Sequence, residues 1–182
     1  MNELKYITLD NVNEDILNIR KEVFVDEQKV PSEIEFELNE TDKTHCCLYL
    51  NNKLIAYGRI VCPYKILSDR CASVRVGRVC VRKEYRKNGY GKLIIDYIES
   101  IVKELGFKEI EIHSQYHAKD FYKTLNYKEQ GEVFYEASIA HIEMRKVIAP
   151  NLWLILSYFK KGEYYAKVVI AYFFVFTYKL WS

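Results

Sequence analysis

The chain has 182 residues, of which 49% are hydrophobic and 29% are charged, and its formal net charge is +2. This length and composition indicate one soluble globular domain and exclude a disordered chain. The small net charge provides no large cationic surface, so we expect no nucleic-acid partner. The N-terminal residues lack the apolar segment of a secretory signal, and we therefore expect a cytoplasmic protein.

The cysteines are odd in number, include one adjacent pair and show no C-x-x-C spacing: Cys46, Cys47, Cys62, Cys71 and Cys80. Structural zinc sites and disulfide frameworks use other spacings. We therefore expect reduced, mostly buried thiols and no bound metal.

The first part of the chain predicts a helix followed by a hairpin. Apolar residues at helical spacing predict a helix over Asp15–Gln28, with Asn13 as its cap. Two runs rich in β-forming residues, Thr44–Leu50 and Lys53–Val61, predict two strands. Asn51-Asn52 joins them, and asparagine tolerates the positive φ angles that a tight hairpin turn requires.

A strand, a loop and a long helix follow the hairpin. Ser73–Val81 predicts the strand, and a broad apolar face over Leu93–Leu105 predicts a helix that ends at Gly106. The remaining predicted elements are a strand at Lys108–His113, a short helix at His117–Leu125, and strands at Tyr127–Val133 and His141–Val147. This mixed order predicts a central mixed sheet with helices on both sides.

The loop before the long helix is the strongest candidate for a ligand site. Gly89 and Gly91 allow a close backbone approach, and the N-terminus of the helix favours a negative group. The Walker A pattern does not fit, because Leu93 stands where a serine or threonine is needed, and the dinucleotide-binding pattern does not fit either. The residues predict an anion site, with a tight strand-to-helix turn as the alternative.

At this point the sequence resembles a known family. The run Arg86-x-x-Gly89-x-Gly91 resembles the acyl-CoA pyrophosphate loop of the GNAT superfamily of N-acetyltransferases. Five blocks follow, in order, the ElaA-like branch of that superfamily: "VFVDEQKVPSEIEFE", "HCCLYL", "GRVCVRKEYRKNGYG", "SQYHAKDFYKTLNY" and "GEVFYEASIAHIEMRK". The resemblance covers about residues 4–147. It implies the GNAT fold, an α/β architecture with a central mixed, mostly antiparallel, splayed sheet flanked by helices on both faces.

The resemblance also implies a site for acetyl-CoA. The strand Gly77–Val81 is expected to part from Lys108–His113, so that the pantetheine arm lies in the gap and pairs with the backbone of the first strand. The pyrophosphate is expected on the N–H groups of Lys87 to Gly91. The implied cofactor contacts are Val79, Cys80, Val81, Arg86, Lys87, Asn88, Gly89, Tyr90, Gly91, Lys92, Gln115 and Lys119.

Amide formation needs a proton acceptor for the amine and a proton donor for the departing thiolate. The resemblance implies that Tyr122 is the donor; the alternative is that its ring only packs beside Phe121. The acceptor stays open among Glu111, the histidines His45, His113, His117 and His141, and relayed water.

The acceptor substrate is expected to be a small amine or a protein side chain, and Glu27 and Gln28 are candidate contacts. The acidic residues that follow could attract a cationic amine or form a solvated loop: Glu33, Glu35, Glu37, Glu40 and Asp42. The resemblance implies an N-acetyltransferase that uses direct transfer in a ternary complex. The alternative is an acyl-CoA-binding module without turnover.

Five positions depart from the family pattern: Asn126-Tyr127 replaces glycine-phenylalanine, Ser138 and Ala140 replace a glycine and a proline, and Ser114 replaces an alanine. The resemblance stops before residues 150–182, an aromatic extension separate from the domain at 1–149. Its uncharged run Val168–Tyr178 is too short to span a bilayer. We expect it to pack on the domain or on another subunit in a homo-oligomer, with membrane contact as the less favoured alternative.

Overall fold

The computed structural model describes residues 3–36, 43–61 and 73–148. Its elements, in chain order, are β1 Leu4–Leu9, α1 Glu14–Arg20, a π-helix Lys21–Glu27, α2 Ser32–Glu35, β2 Lys43–Leu50, β3 Lys53–Val61, β4 Ser73–Val81, α3 Tyr90–Glu104, β5 Glu109–Gln115, α4 Lys119–Thr124, β6 Lys128–Glu136 and β7 Ile139–Val147. Short 3-10 turns, Lys83–Tyr85 and Tyr116–Ala118, precede α3 and α4. Five residues discussed above lie outside the described residues, as does the extension from Pro150: Glu37, Glu40, Asp42, Cys62 and Cys71.

The strands form one seven-stranded sheet in the order β1-β2-β3-β4-β5-β7-β6. Neighbouring strands are antiparallel except β4 and β5, which are parallel. The parallel pair needs a crossover, and α3 supplies it. This arrangement confirms the predicted mixed, mostly antiparallel sheet with helices on both faces.

Each face of the sheet has its own apolar core. On one face α1 and the π-helix bury Ile16, Ile19 and Val23 against β2 and β3. On the other face α3 buries Ile94 and Ile98, together with α4. Because successive side chains of a strand point to opposite faces, the strand residues that pack under α3 alternate with residues on the α1 face.

Several local predictions are confirmed. The Oδ1 atom of Asn13 accepts a hydrogen bond from the backbone N–H of Ile16 at 3.0 Å, which caps α1. Positive φ angles occur where the turns need them, at Asn51, Asn52, Gly106 and Asn126. The family pattern has glycine at Asn126, and asparagine adopts the same left-handed conformation.

Three parts of the fold differ from the expectation. The single helix predicted over Asp15–Gln28 is an α-helix that continues as a π-helix from Lys21. The strand β1 and the helix α2 were not predicted. β1 is an edge strand with Leu4 and Tyr6 about 40% exposed, so its apolar pattern is weak. The helix α2 has four residues, too few to show a helical repeat.

Three described cysteines, Cys46, Cys47 and Cys80, are buried free thiols, which confirms the prediction for these three. Burial raises the pKa of Cys46 and of Cys47 to about 12. Separately, none of the helices in the described ranges combines the length and apolar character needed to cross a bilayer. The cytoplasmic location and the domain boundary after residue 149 stay predictions.

Candidate functional site

The sheet opens where β4 and β5 part. The two strands pair from Ser73↔Glu109 to Val76↔Ile112 and no further. The other edge of β4 stays on β3 as far as Val81. Among the described residues, no strand pairs with residues 77–81 on the β5 side, so their backbone groups line a gap.

A bulge in β4 lies at the start of this gap. The register between β3 and β4 shifts between the pairs Tyr57↔Cys80 and Arg59↔Gly77, so β4 has one extra residue there. Arg78 lies in the bulge with φ at 55°, a conformation unusual for a residue with a side chain. The bulge re-aims the C-terminal half of β4 away from β5, as the resemblance implied.

A cavity of about 640 Å³ lies at the gap. Its walls come from β4 and β5, from α4, and from the segment between the π-helix and α2. Val79, Gln115 and Tyr122 line it, together with His113 and His141. Predicted site residues from several elements therefore surround one space.

The loop after β4 is built to leave its N–H groups unpaired. Gly89 precedes α3 with φ at +82°, and Lys87 also has a positive φ of 63°. Within the described part of the chain, no protein acceptor bonds to the backbone N–H groups from Lys87 to Lys92. The 15-residue helix α3 adds the partial positive charge of its N-terminus. These features fit a pyrophosphate, as predicted.

The second glycine of the loop has a packing role. A Cβ atom on Gly91 would lie 3.3 and 3.4 Å from ring atoms of Phe121, and 3.9 Å from Cγ2 of Val81. Gly91 therefore lets the start of α3 approach α4 closely. The sequence had indicated only a close approach to a ligand.

Arg86, one of the implied cofactor contacts, forms an ion pair with Glu27 at the end of the π-helix. Its guanidinium makes two hydrogen bonds to the carboxylate of Glu27, at 2.6 and 2.7 Å, and Nε donates to the carbonyl of Val81 at 2.9 Å. Glu27 was predicted to contact the acceptor, but it does not line the cavity. Its carboxylate instead compensates the charge of Arg86, because the π-helix ends beside the loop.

Four other predicted cofactor contacts have protein partners. The Lys92 ammonium lies 2.5 Å from the Asp96 carboxylate, one helical turn later. The Lys119 ammonium lies over the ring of Tyr116, 4.1 Å from its centre. The side chain of Asn88 donates to the carbonyl of Arg86 at 3.1 Å, which fixes the turn. The ring of Tyr90 packs edge-on against Tyr85.

Gln28 and Gln115 meet across the cavity. Nε2 of Gln115, at the end of β5, donates to Oε1 of Gln28 at 2.8 Å. The two residues were predicted to contact different substrates, the acceptor and the cofactor. The structure places both in the cavity wall, in contact with each other.

Tyr122 is buried, with 6% of its surface exposed, and lines the cavity. Its ring packs edge-on against Phe121 and Tyr127. No other described residue forms a hydrogen bond with its hydroxyl group. Burial, with a smaller contribution from Cys80, raises the pKa of the phenol, so Tyr122 carries its proton at neutral pH.

The two histidines of the cavity have different partners. Nδ1 of His141 lies 2.8 Å from the carbonyl oxygen of Ile139. A carbonyl can only accept, so Nδ1 carries the proton and the neutral ring keeps a lone pair on Nε2. His113 instead contacts carboxylates through both ring nitrogens, Glu136 at 2.7 Å and Glu111 at 3.3 Å.

Of the five acidic residues considered above, Glu33 and Glu35 lie within the described residues. Glu35 is buried and paired, with Nε of Arg20 at 2.6 Å and Nε of Arg78 at 2.7 Å. A carboxylate between two guanidinium groups has no negative charge left to attract an amine. Glu33 is exposed, as a solvated side chain would be.

Glu111, His113 and Glu143 bring possible metal-ligand atoms within 4.8 Å of one another. Arg145 lies among them and bonds to both glutamates, at 2.9 Å in the case of Glu111. This arginine balances the acidic charge, and we assign no metal to the cluster.

The turn between β6 and β7 forms without the glycine and proline of the family pattern. Ala137 and Ser138 both have positive φ angles, 48° and 62°. These angles cost about 1 kcal/mol each for residues other than glycine. The turn nevertheless places His141 in the cavity wall.

Comparisons with known proteins agree with this geometry. Residues 7–148 match the family model described as "Acetyltransferase (GNAT) domain". The chain is 33% identical to YyaT of Bacillus subtilis over 152 residues, which cover 82% of this chain and 98% of that protein. It superimposes on the crystal structure of Escherichia coli ElaA with a TM-score of 0.66, at 24% identity, covering 80% of this chain and 99% of that one. An aminoglycoside 6'-N-acetyltransferase complexed with coenzyme A gives a TM-score of 0.63 at 17% identity, covering 81% and 98%.

Proposed function

The chain belongs to the GNAT acetyltransferase family, and on that premise we propose that it moves an acetyl group from acetyl-CoA to a primary amine. The transfer is direct, within a ternary complex of enzyme and both substrates. The observation that carries the proposal is the parting of β4 and β5 beside a loop of unpaired backbone N–H groups. A structural neighbour that is complexed with coenzyme A supports the choice of co-substrate.

The residues present fit acetyl-CoA, which supplies an acyl group activated as a thioester. The unpaired edge of β4 at Val79 and Val81 suits an extended chain that carries amide groups, since such a chain can pair as an added strand. The N–H groups of Lys87 to Lys92 suit a diphosphate at the start of α3. Both features lie at or just after the C-terminal half of β4.

Tyr122 is assigned as the proton donor. Its phenol lines the cavity and is protonated at neutral pH, because burial raises its pKa. A thiolate that forms in the same surroundings would also be desolvated, and desolvation raises the proton affinity of a thiolate. Burial similarly raises the pKa of the nearby Cys80 thiol. Burial therefore shifts the pKa of the donor phenol and the pKa of the departing thiol in the same direction.

His141 is assigned as the proton acceptor for the amine. Its Nδ1 proton is held by the carbonyl of Ile139, which leaves Nε2 as a base. His113 suits this role less well, because both of its ring nitrogens already contact side chains, Glu136 at 2.7 Å and Glu111 at 3.3 Å. His141 is 8% exposed and belongs to the cavity wall.

The test is thiol release from acetyl-CoA in the presence of a panel of primary amines. We expect release that depends on the amine, and a product that carries the acetyl group on nitrogen by mass spectrometry. Binding of coenzyme A in calorimetry without release by any amine would instead support the non-catalytic acyl-CoA-binding module. Absence of coenzyme A binding would contradict both functions.

A further inference from the structure

Glu35 is a buried carboxylate that the proposed acetyl transfer does not use. It lies on α2, in the cavity wall, with 1% of its surface exposed. A charge that is withdrawn from water is stable only where opposite charges and hydrogen bonds compensate it. Nε of Arg20 lies 2.6 Å from one of its oxygens, and Nε of Arg78 lies 2.7 Å from the other. Glu35 therefore joins the end of α1 to β4.

Arg78 is the strained residue of the β4 bulge. It and Val79 lie opposite the single residue Gly58 of β3, and the φ angle of Arg78 is 55°. Glycine adopts such an angle at no steric cost. A residue with a side chain keeps it only where the surrounding structure holds it there. The conformation of the bulge therefore depends on what the Arg78 side chain contacts.

The helix α2 supplies such contacts. Besides the ion pair with Glu35, Nη2 of Arg78 lies 3.5 Å from the carbonyl oxygen of Ile34. The helix α2 is itself fixed to α1, because Arg20 also donates to the backbone carbonyl of Glu35, and its guanidinium lies 5.5 Å from the centre of the Phe36 ring. Arg20 is 1% exposed. The carboxylate is thus the fixed end of the ion pair, and the bulge is the strained end.

The bulge decides whether the edge of β4 stays open. As far as Val76 the strand pairs with β5, and from Gly77 onward it does not. Residues 113–115 of β5 pair with β7 on one side, and among the described residues no strand pairs with their other side. An extra residue bends its strand, so a β4 without the bulge would continue along β5. That pairing would use the backbone groups proposed to bind the pantetheine arm.

We propose that Glu35 is a positioning residue for acyl-CoA binding: through Arg78 it holds the bulge of β4, and so keeps the strand edge at residues 79–81 open. This inference rests on the proposed acetyl transfer, since that function requires the open edge. Neither Glu35 nor Arg78 touches the reacting atoms in this role. The ion pair takes the place of the glycine that a bulge with a positive φ angle otherwise uses.

The experiment compares methionine with glycine at residue 78. Arg78→Met keeps an unbranched side chain but cannot pair with Glu35, whereas Arg78→Gly also loses the pair but adopts a positive φ angle freely. By isothermal titration calorimetry, we expect Arg78→Met to raise the Kd for coenzyme A about tenfold, and Arg78→Gly to stay within about threefold of wild type. Equal or greater weakening by glycine would indicate direct contact between Arg78 and the ligand, and no weakening by either would indicate a purely structural residue. Both results would overturn the proposal.

Asn52 provides the matched control. Its φ angle is 63°, it is exposed in the turn between β2 and β3, and it lies outside the cavity wall. Asn52→Met should lower the unfolding temperature relative to Asn52→Gly, because methionine is strained at this angle as it is at residue 78. The Kd for coenzyme A should be the same in both control variants. A difference in Kd between them would show that strain elsewhere in the fold also weakens binding, and it would contradict the assignment.

A double-mutant cycle tests Glu35 itself. Glu35→Gln should raise the Kd for coenzyme A about tenfold in the wild-type background, because it removes the charge that holds Arg78. In the Arg78→Gly background the same substitution should change Kd less than about threefold, since glycine needs no side-chain contact. Equal effects in the two backgrounds would contradict action through Arg78. If Glu35→Gln does not fold, the comparison at residue 78 still decides the proposal, because Arg78→Met leaves Glu35 paired with Arg20.

Backbone NMR separates this proposal from the proposed function. Chemical shifts report the sign of φ at residue 78 in the protein without ligand. If the wild type binds no coenzyme A, the proposed function fails, but loss of the positive angle in Arg78→Met and its retention in Arg78→Gly would still support the positioning role. A positive angle in wild type and both variants would overturn that role, even if the wild type acetylates amines.

Discussion

Arg86 and Glu27 join the loop after β4 to the end of the π-helix through two parallel hydrogen bonds of 2.6 and 2.7 Å. The same guanidinium donates to the carbonyl of Val81. Arg86 therefore fixes the conformation of the loop, and the backbone N–H groups of the following residues are left to bind an anion.

Removing either partner should weaken coenzyme A binding. We expect Glu27→Gln to raise the Kd for coenzyme A about tenfold, because the loop loses one bidentate anchor while its glycines and backbone donors remain. Isothermal titration calorimetry measures this change. Asp96→Asn is the control, since it removes the partner of Lys92 at the same helix without touching the anchor. A Kd that stays unchanged in Glu27→Gln would contradict the anchoring role.

The ion pair between Arg86 and Glu27 makes the stability of the fold depend on pH. The hydrogen bond from Arg86 is the main cause that lowers the pKa of Glu27 from 4.5, in opposition to burial. A lowered pKa stabilises the fold above about pH 4.5, and this contribution is lost as pH falls through the pKa of the folded state. Thermal unfolding from pH 7 to pH 3 should therefore show a difference between wild type and Glu27→Gln that shrinks with acidification. A constant difference would contradict this cause.

The two glycines with similar positive φ angles give a matched pair. Gly89, at +82°, belongs to the loop, and Gly106, at +85°, follows the end of α3; a methyl group added to either residue would meet open space. Alanine at either site should cost about 1–2 kcal/mol of unfolding free energy, measured by urea denaturation. Only Gly89→Ala should also weaken coenzyme A binding. Equal loss of binding in both variants would exclude a specific role for the loop.

Tyr122→Phe should lower kcat by a factor of about 10² to 10⁴, because it removes a general acid but keeps the ring that packs against Phe121 and Tyr127. The Kd for coenzyme A should stay near the wild-type value. Tyr127→Phe is the control, since its hydroxyl bonds to Glu99 at 3.1 Å and lies outside the cavity wall. Normal turnover in Tyr122→Phe would show that Tyr122 contributes only to packing and donates no proton.

His141→Asn keeps a donor for the carbonyl of Ile139 but removes the basic nitrogen. We expect kcat/KM to fall about 10² to 10⁴-fold and the acidic limb of its pH profile to disappear. The pH profile distinguishes a catalytic role of His141 from a structural one. Replacing a histidine that only packs would leave the shape of the profile unchanged. An unaltered acidic limb in the variant would move the role to His113 or to water.

The local elements were predictable because short-range physics specifies them. Asn13, Asn51-Asn52 and Gly106 each act within a turn of the chain, through a cap or a positive φ angle. The strand β4 was predicted with its observed bounds, since β-branched valines recur along it, and Val74 and Val76 are buried in the sheet. The edge strand β1 was missed because Leu4 and Tyr6 are apolar although about 40% exposed. Apolar residues therefore stand on both faces of the strand, and the alternation on which such a prediction depends is absent.

The backbone conformation of the site was predictable from the sequence, whereas the contacts of its side chains were less so. The glycines at 89 and 91 indicated a loop that could approach a ligand, and Tyr122 was predicted as a site residue through the family resemblance. The ion pairs of Glu27 and Glu35 could not be predicted, because their partners Arg86 and Arg20 lie 59 and 15 residues away in sequence. The sequence shows which charged residues are present, but it does not show which of them neutralise one another in ion pairs.

The sequence by itself determined the order of the elements, the glycine-dependent loop and the family, since these follow from local patterns. Tertiary structure decided which face of β4 and β5 each charged residue occupies, and it brought Lys43, Arg59 and Arg75 together from three strands. The physical reason is that register and a bulge set side-chain direction over long distances along the chain, and a shift of one residue would reverse it.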